Sequence, residues 1–194
     1  MKKAYNDIIE RLVKAVEKGD TIGWSMPWET EPPKYPHTVK PNAHAEKILN
    51  AYYKHERITF VEKEQDKSFY SPNGDMIMLP AKAQFKSTES YYSVKAHETI
   101  HSTGDYTRCN RAVFDEYKSF SFGDSRYSRE ELVAEVGACF LLLELGIDTT
   151  QAEKSATAYI SNWLTHLNNN TNWIYRAGEL SADAVEYILE SSER

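Results

Sequence analysis

His97-Glu98-Thr99-Ile100-His101 is the stretch on which the reading of this 194-residue chain turns. It has the form H-E-x-x-H. On a helix, side chains four apart share a face, so His97 and His101 can grip one metal ion through imidazole nitrogens. Glu98 stands beside that pair and can serve a metal-activated water as general base. With this chain's His and Glu frequencies, the pattern arises by chance in on the order of one or two per cent of such chains. The competing reading is a surface helix that happens to carry two histidines and an acid.

A catalytic zinc site uses three protein ligands and keeps one position open. The longer pattern that adds a glycine and a third histidine fails here. Gly104 falls at its glycine position, but Thr107 stands where the histidine is required. His37, His44 and His55 precede the pentad and read as surface residues, while His166 falls at a helix end. The better source is Arg129-Glu130-Glu131-Leu132-Val133-Ala134-Glu135-Val136-Gly137-Ala138. Glu131 and Glu135 are one helical turn apart and face the same way. They border an apolar stripe of Leu132, Val136 and Phe140, where carboxylates are costly to bury unless paired or metal-bound. Gly137 and Ala138 let another helix come close. The arrangement resembles that of gluzincins, in which a glutamate ligand is followed one turn later by an acid that hydrogen-bonds a ligand histidine. That resemblance makes Glu131 the third ligand and Glu135 the support of a histidine. The reverse assignment stays open, as does the plainer reading of Glu130, Glu131 and Glu135 as solvated helix-face charges. Two histidines and a carboxylate suit Zn2+, and also Mn2+ or another divalent ion.

The rest of the chain fits a globular host for such a site. Hydrophobic residues make up 41% and charged residues 27%, ordinary for a soluble domain. A net charge of -6 argues against a generic basic nucleic-acid binder. Cys109 and Cys139 form no metal-binding pair and no disulfide framework, which suits a reducing cytosol. The segment Met1 to Lys18 lacks the apolar stretch of a signal peptide, and no run reaches membrane-spanning length.

Periodicity predicts the elements. Lys3 to Lys18 reads as an amphipathic helix through Ile8, Ile9, Leu12, Val13 and Val16, ended by Gly19. Thr21 to Pro41 holds Trp24, Trp28, Tyr35 and five of the seven prolines and reads as an extended arm. A short helix follows over 42–55, then a strand over 57–63. A hairpin comes next over 68–79, turning at Pro72-Asn73-Gly74-Asp75. The pentad helix is expected from an N-cap at Thr88 to Gly104. Three more helices are expected over 129–145 (capped by Ser128), 151–167 and 172–189. This order gives an α+β class, a small sheet beside helices, in two parts. Residues 1–41 are the helix and arm, and 42–194 are the metal-site domain.

Further words carry a broader resemblance. They are Tyr70-Ser71-Pro72 with Asp75-Met76-Ile77-Met78-Leu79-Pro80, then Phe85, Tyr91-Tyr92, the pentad with Ser102-Thr103-Gly104, and Arg111. Tyr127-Ser128-Arg129-Glu130-Glu131-Leu132-Val133-Ala134-Glu135, Leu145-Gly146-Ile147, Ala158-Tyr159-Ile160, Trp163-Leu164 and Arg176-Ala177 continue them. In this order the chain resembles the zincin-like metallopeptidase domain of phage and plasmid polyvalent proteins. That domain is also the C-terminal part of ArdC-type antirestriction proteins.

The resemblance implies a zincin fold and a metal held by His97, His101 and Glu131, with Glu98 as catalytic base. The chemistry it implies is hydrolysis of a protein or peptide substrate. It also implies a counter-defence role in the cytoplasm of a bacterial host, with host defence proteins as partners. ArdC-type proteins carry an N-terminal domain associated with single-stranded DNA binding. Here the first helix, Gly19 and Met26-Pro27-Trp28 look like its opening, and most of the remainder is absent. The rival function is a non-catalytic, metal-containing module that blocks a host defence protein or binds DNA. Tyr106, Arg126 and Tyr127 are candidates by position for assisting the reaction. The strand over Asp75 to Leu79 is expected to edge the cleft and pair with an extended peptide.

Overall fold

The computed structural model describes residues 1–19, 39–111 and 125–194, with backbone alone at Ser125 and Arg126. The Pro- and Trp-rich arm, apart from its last residues, lies outside that set, as does the side chain of Arg126. Among the described residues there are six α-helices and one three-stranded sheet, the α+β class expected. The helices are α1 (Lys3–Lys18), α2 (Ala43–Glu56), α3 (Thr88–Ser102), α4 (Ser125–Glu144), α5 (Thr150–Thr165) and α6 (Asn172–Ser192). The strands are β1 (Thr59–Lys63), β2 (Phe69–Ser71) and β3 (Met76–Pro80). No helix among the described residues is long and apolar enough to cross a membrane.

α3 is the axis of the molecule. One flank faces the sheet and the other packs on α4, which in turn packs on α5 and α6. Tyr91, Tyr92, Val94, Lys95, Ala96, Glu98, Thr99, Ile100 and His101 of α3 are all buried. Burial on both flanks explains why the helix lacks a clean amphipathic stripe, and why its polar side chains must find partners. The Tyr53 hydroxyl meets Thr99 Oγ1 at 2.6 Å and the Tyr52 hydroxyl meets Ser102 Oγ at 3.0 Å. Lys95 donates to both Glu46 oxygens at 3.0 and 3.2 Å, inside a surround of Tyr53, Phe60, Tyr91 and Tyr92 rings. α1 adds Tyr5, Ile8, Ile9, Leu12 and Val13 to the same core, with Tyr5 stacked on Phe140 of α4.

The sheet order is β1-β3-β2, with β1 parallel and β2 antiparallel to β3. The expected hairpin is present, with Tyr70 opposite Ile77, and Gly74 and Asp75 supply the positive φ angles of its turn. Its position differs from expectation. β3 is the middle strand, paired on both sides, so the Asp75–Leu79 stretch cannot add a peptide. β1 takes the ladder groups that would have been free.

Helix boundaries also differ, most consequentially in α3 and α4. Ser87, not Thr88, caps α3: Ser90 N–H donates to Ser87 Oγ at 3.1 Å and Ser87 N–H donates to Ser90 Oγ at 3.0 Å. Thr88 Oγ1 instead accepts from Lys40 N–H. The helix ends at Ser102 with Thr103 as C-cap, one residue before Gly104. α4 begins at Ser125, a turn ahead of the expected start, so Ser128 lies inside it and is buried.

Candidate metal centre

His97 and His101 lie one turn apart on the flank of α3 that meets α4, and Glu131 reaches them from α4. Their ligand atoms converge. His97 Nε2 and His101 Nε2 are 3.1 Å apart, and Glu131 oxygens lie 3.7 Å from the first and 3.6 Å from the second. Ligands at zinc distances in a tetrahedron stand roughly 3.4 Å from one another, so these three residues fit a divalent ion.

The outer nitrogens support the same reading. His97 Nδ1 faces Glu135 Oε1 at 3.3 Å, and His101 Nδ1 faces Glu130 Oε1 at 3.2 Å. A carboxylate at each Nδ1 favours a proton there, leaving both Nε2 lone pairs turned inward beside a third carboxylate. That donor set suits a divalent cation. Burial opposes charge on His97, but Glu135 outweighs it, with help from Glu98 and Glu131, and raises the imidazole to about 10, so a proton competes with a metal ion for the Nε2 lone pair.

Glu135 thus sits against the far nitrogen of His97, outside the converging trio that Glu131 completes. Glu98 is buried and lines the same cleft. Tyr127 hydrogen-bonds Glu131, and burial together with that carboxylate holds its phenol well above its ordinary range. Tyr106 is 67% exposed and lines no part of the cleft, so it drops out. His44 and His55 are on the surface, as expected, His166 is exposed at the end of α5, and His37 lies outside the described residues.

The cleft has a volume of about 840 Å3. Its lining includes Ser68, Phe69, Tyr70 and Ser87 from the region of β2 and the approach to α3, and Thr150, Gln151 and Ser155 from the start of α5. The strand at the cleft is therefore β2, at the margin of the sheet.

Glu130 was invisible as a site residue from sequence. With the helix expected from Arg129, it reads as a solvated helix-face charge. The true start at Ser125 puts it further in, 3% exposed, between His101 and Arg111. Arg111 Nε and Nη2 donate to its two oxygens, each at 2.7 Å. Burial raises a carboxyl, but the Arg111 charge outweighs it and holds Glu130 down at about 2. A basic residue soon after the pentad helix was the one available hint.

A family model described as a zincin-like metallopeptidase matches residues 43–180. Two Escherichia coli proteins named DNA primase TraC are similar. One is 33% identical over 131 residues, 68% of this chain and 12% of that protein. The other is 30% identical over 162 residues, 84% of this chain and 10% of that protein. The chain thus spans about a tenth of the length of these relatives. Among solved structures, the Mn(II)-bound antirestriction protein ArdC from plasmid R388 is similar. It has a TM-score of 0.57 and 30% identity, over 82% of this chain and 57% of that one. Its metal-free structure matches with the same TM-score and 29% identity, over 81% of this chain and 53% of that one.

Proposed function

The chain belongs to the zincin-like metallopeptidase family, and on that premise we propose that it is a divalent-metal-dependent peptidase serving a mobile element in counter-defence. Zn2+ or Mn2+ would be held by His97 Nε2, His101 Nε2 and a Glu131 oxygen. When bound, the ion supplies Lewis acidity, lowering the pKa of a water toward neutrality and polarising a peptide carbonyl. Glu98 accepts a proton at its carboxylate and returns it to the departing amine nitrogen. Glu130 and Glu135 hold the two imidazoles by their Nδ1 protons. Tyr127, kept neutral, remains a hydroxyl donor beside Glu131. The margin strand β2 offers backbone groups to an extended substrate, and side chains of the cleft select among peptides.

The observation that carries this reading is the convergence of three ligand atoms in a cleft whose wall also carries Glu98. Metal binding needs only the trio, whereas hydrolysis needs Glu98 as well. The counter-defence role rests on the likeness to antirestriction protein ArdC. It makes host defence proteins, in the cytoplasm of a bacterium, the substrates to try. The test is cleavage of an unstructured protein by the full chain loaded with Zn2+ or Mn2+, beside Glu98→Gln. Cleavage by wild type alone, with equal metal in both, supports the peptidase. Equal metal and no cleavage by either would turn the reading to a binding module.

A further inference from the structure

Arg111 touches none of the ligand atoms, yet it grips both helices that carry them. Its side chain is 6% exposed. Nη2 donates to the Ile100 carbonyl at 2.8 Å and Nη1 donates to Thr103 Oγ1 at 2.8 Å, both at the end of α3. Nε and Nη2 donate to the two oxygens of Glu130 on α4. Its backbone N–H donates to the Gly104 carbonyl at 3.0 Å, which anchors the residue to the turn after α3. Glu130 Oε1 is then shared: it faces Arg111 Nη2 at 2.7 Å and His101 Nδ1 at 3.2 Å.

We propose that Arg111 and Glu130 form a positioning pair that sets His101 and Glu131 in place before the metal arrives. This rests on the metal-centre reading. The planar guanidinium presents its donors in a fixed fork, so Glu130 has little rotational freedom. A fixed carboxylate fixes the His101 ring and its tautomer, which aims Nε2 inward. Glu131 is the next residue on α4, so the grip on Glu130 anchors the stretch of backbone from which the third ligand reaches the histidines. Because Arg111 compensates the charge of Glu130, the carboxylate orients His101 without adding net charge to the cluster. Lysine could supply the charge but not the fork.

The test uses the full chain and reads metal affinity separately from stability. Zn2+ dissociation constants come from competition with a chromophoric chelator. Co2+ absorption reports coordination geometry, and thermal melting is followed on metal-free protein. Glu130→Gln keeps the shape but lets its amide face His101 either way, so the tautomer is no longer held. The expected result is roughly 10–100-fold weaker Zn2+ binding, with an altered Co2+ spectrum. Arg111→Lys is expected to weaken binding as well and provides a second variant should Glu130→Gln fail to fold. Arg108→Met is the control. Arg108 is equally buried, and it bonds Glu56, Asp75 and the Ser102 carbonyl away from the cluster. It should lower the melting temperature and leave Zn2+ affinity unchanged. Wild-type affinity and Co2+ spectrum in a folded Glu130→Gln or Arg111→Lys overturn the proposal. Failure of wild type to bind either ion would overturn the metal-centre reading itself, and the proposal with it.

Discussion

Gly137 of α4 lies directly against Ile100 of α3: a Cβ on Gly137 would stand 3.0 Å from three carbon atoms of the Ile100 side chain. Ile100 is fully buried, with packed neighbours to resist its giving way. The bare backbone of α4 is what lets the two helices come close enough for Glu131 to reach both histidines. Gly137→Ala should therefore destabilise the protein by roughly 1–3 kcal/mol through overpacking and weaken metal binding together with it. Chemical denaturation checks the first effect and chelator competition the second. Adding Ile100→Val should restore part of both.

Glu98→Gln separates chemistry from architecture. The amide keeps the shape of the side chain but cannot take a proton as a carboxylate does. Metal content and melting temperature should stay near wild type, while cleavage falls by about 10²-fold or more. A loss of metal in this variant would mean that Glu98 supports the ligands instead.

The pairing of Lys95 with Glu46 predicts how stability responds to acid. Burial tends to raise the Glu46 carboxyl, but the Lys95 charge and hydrogen bonds, with Tyr92, outweigh it and hold it below its ordinary range. A carboxyl depressed in the folded state stabilises the fold above its unfolded pKa, and that stabilisation is lost as pH falls through the folded value. Glu46→Gln, which leaves the Lys95 ammonium without its counterion, should cost about 1–3 kcal/mol at neutral pH. The gap between wild type and variant should narrow once pH drops below about 4. Urea denaturation across that range measures it.

Much of this was legible in the chain, for identifiable reasons. The pentad reports a helix face directly, because the histidine spacing equals a helical turn. Glu131 and Glu135 stood out because acids do not ordinarily border a stripe such as Leu132, Val136 and Phe140. Local periodicity also marked β2 and β3 and the turn at Gly74. What it could not carry was pairing. Nothing in Met76-Ile77-Met78-Leu79 says that β1 will join β3 in parallel and make it the middle strand, since that depends on a contact between distant segments. The role of Glu130 was hidden for a related reason. Its partners are Arg111, 19 residues before it, and His101, 29 residues before it, and Ser128, read as the cap, placed the helix start a turn too late.

Gly178 of α6 predicts a separate, purely structural effect. A methyl group there would run into Ile9 Cδ1 of α1, which is buried. Gly178→Ala should lower stability by about 1–3 kcal/mol, and Ile9→Val should recover part of it. Zn2+ affinity should stay at the wild-type value, because α1 and α6 do not carry the ligand atoms.

The most direct measurement for the central claim is the metal content of purified wild type, Glu131→Ala and Glu135→Ala after equilibration with Zn2+ and removal of free ion. A centre built by His97, His101 and Glu131 predicts about one ion per wild-type chain. It predicts near-complete loss in Glu131→Ala, and weakened but measurable retention in Glu135→Ala. Full retention in Glu131→Ala with loss in Glu135→Ala, or no ion in wild type, would contradict it.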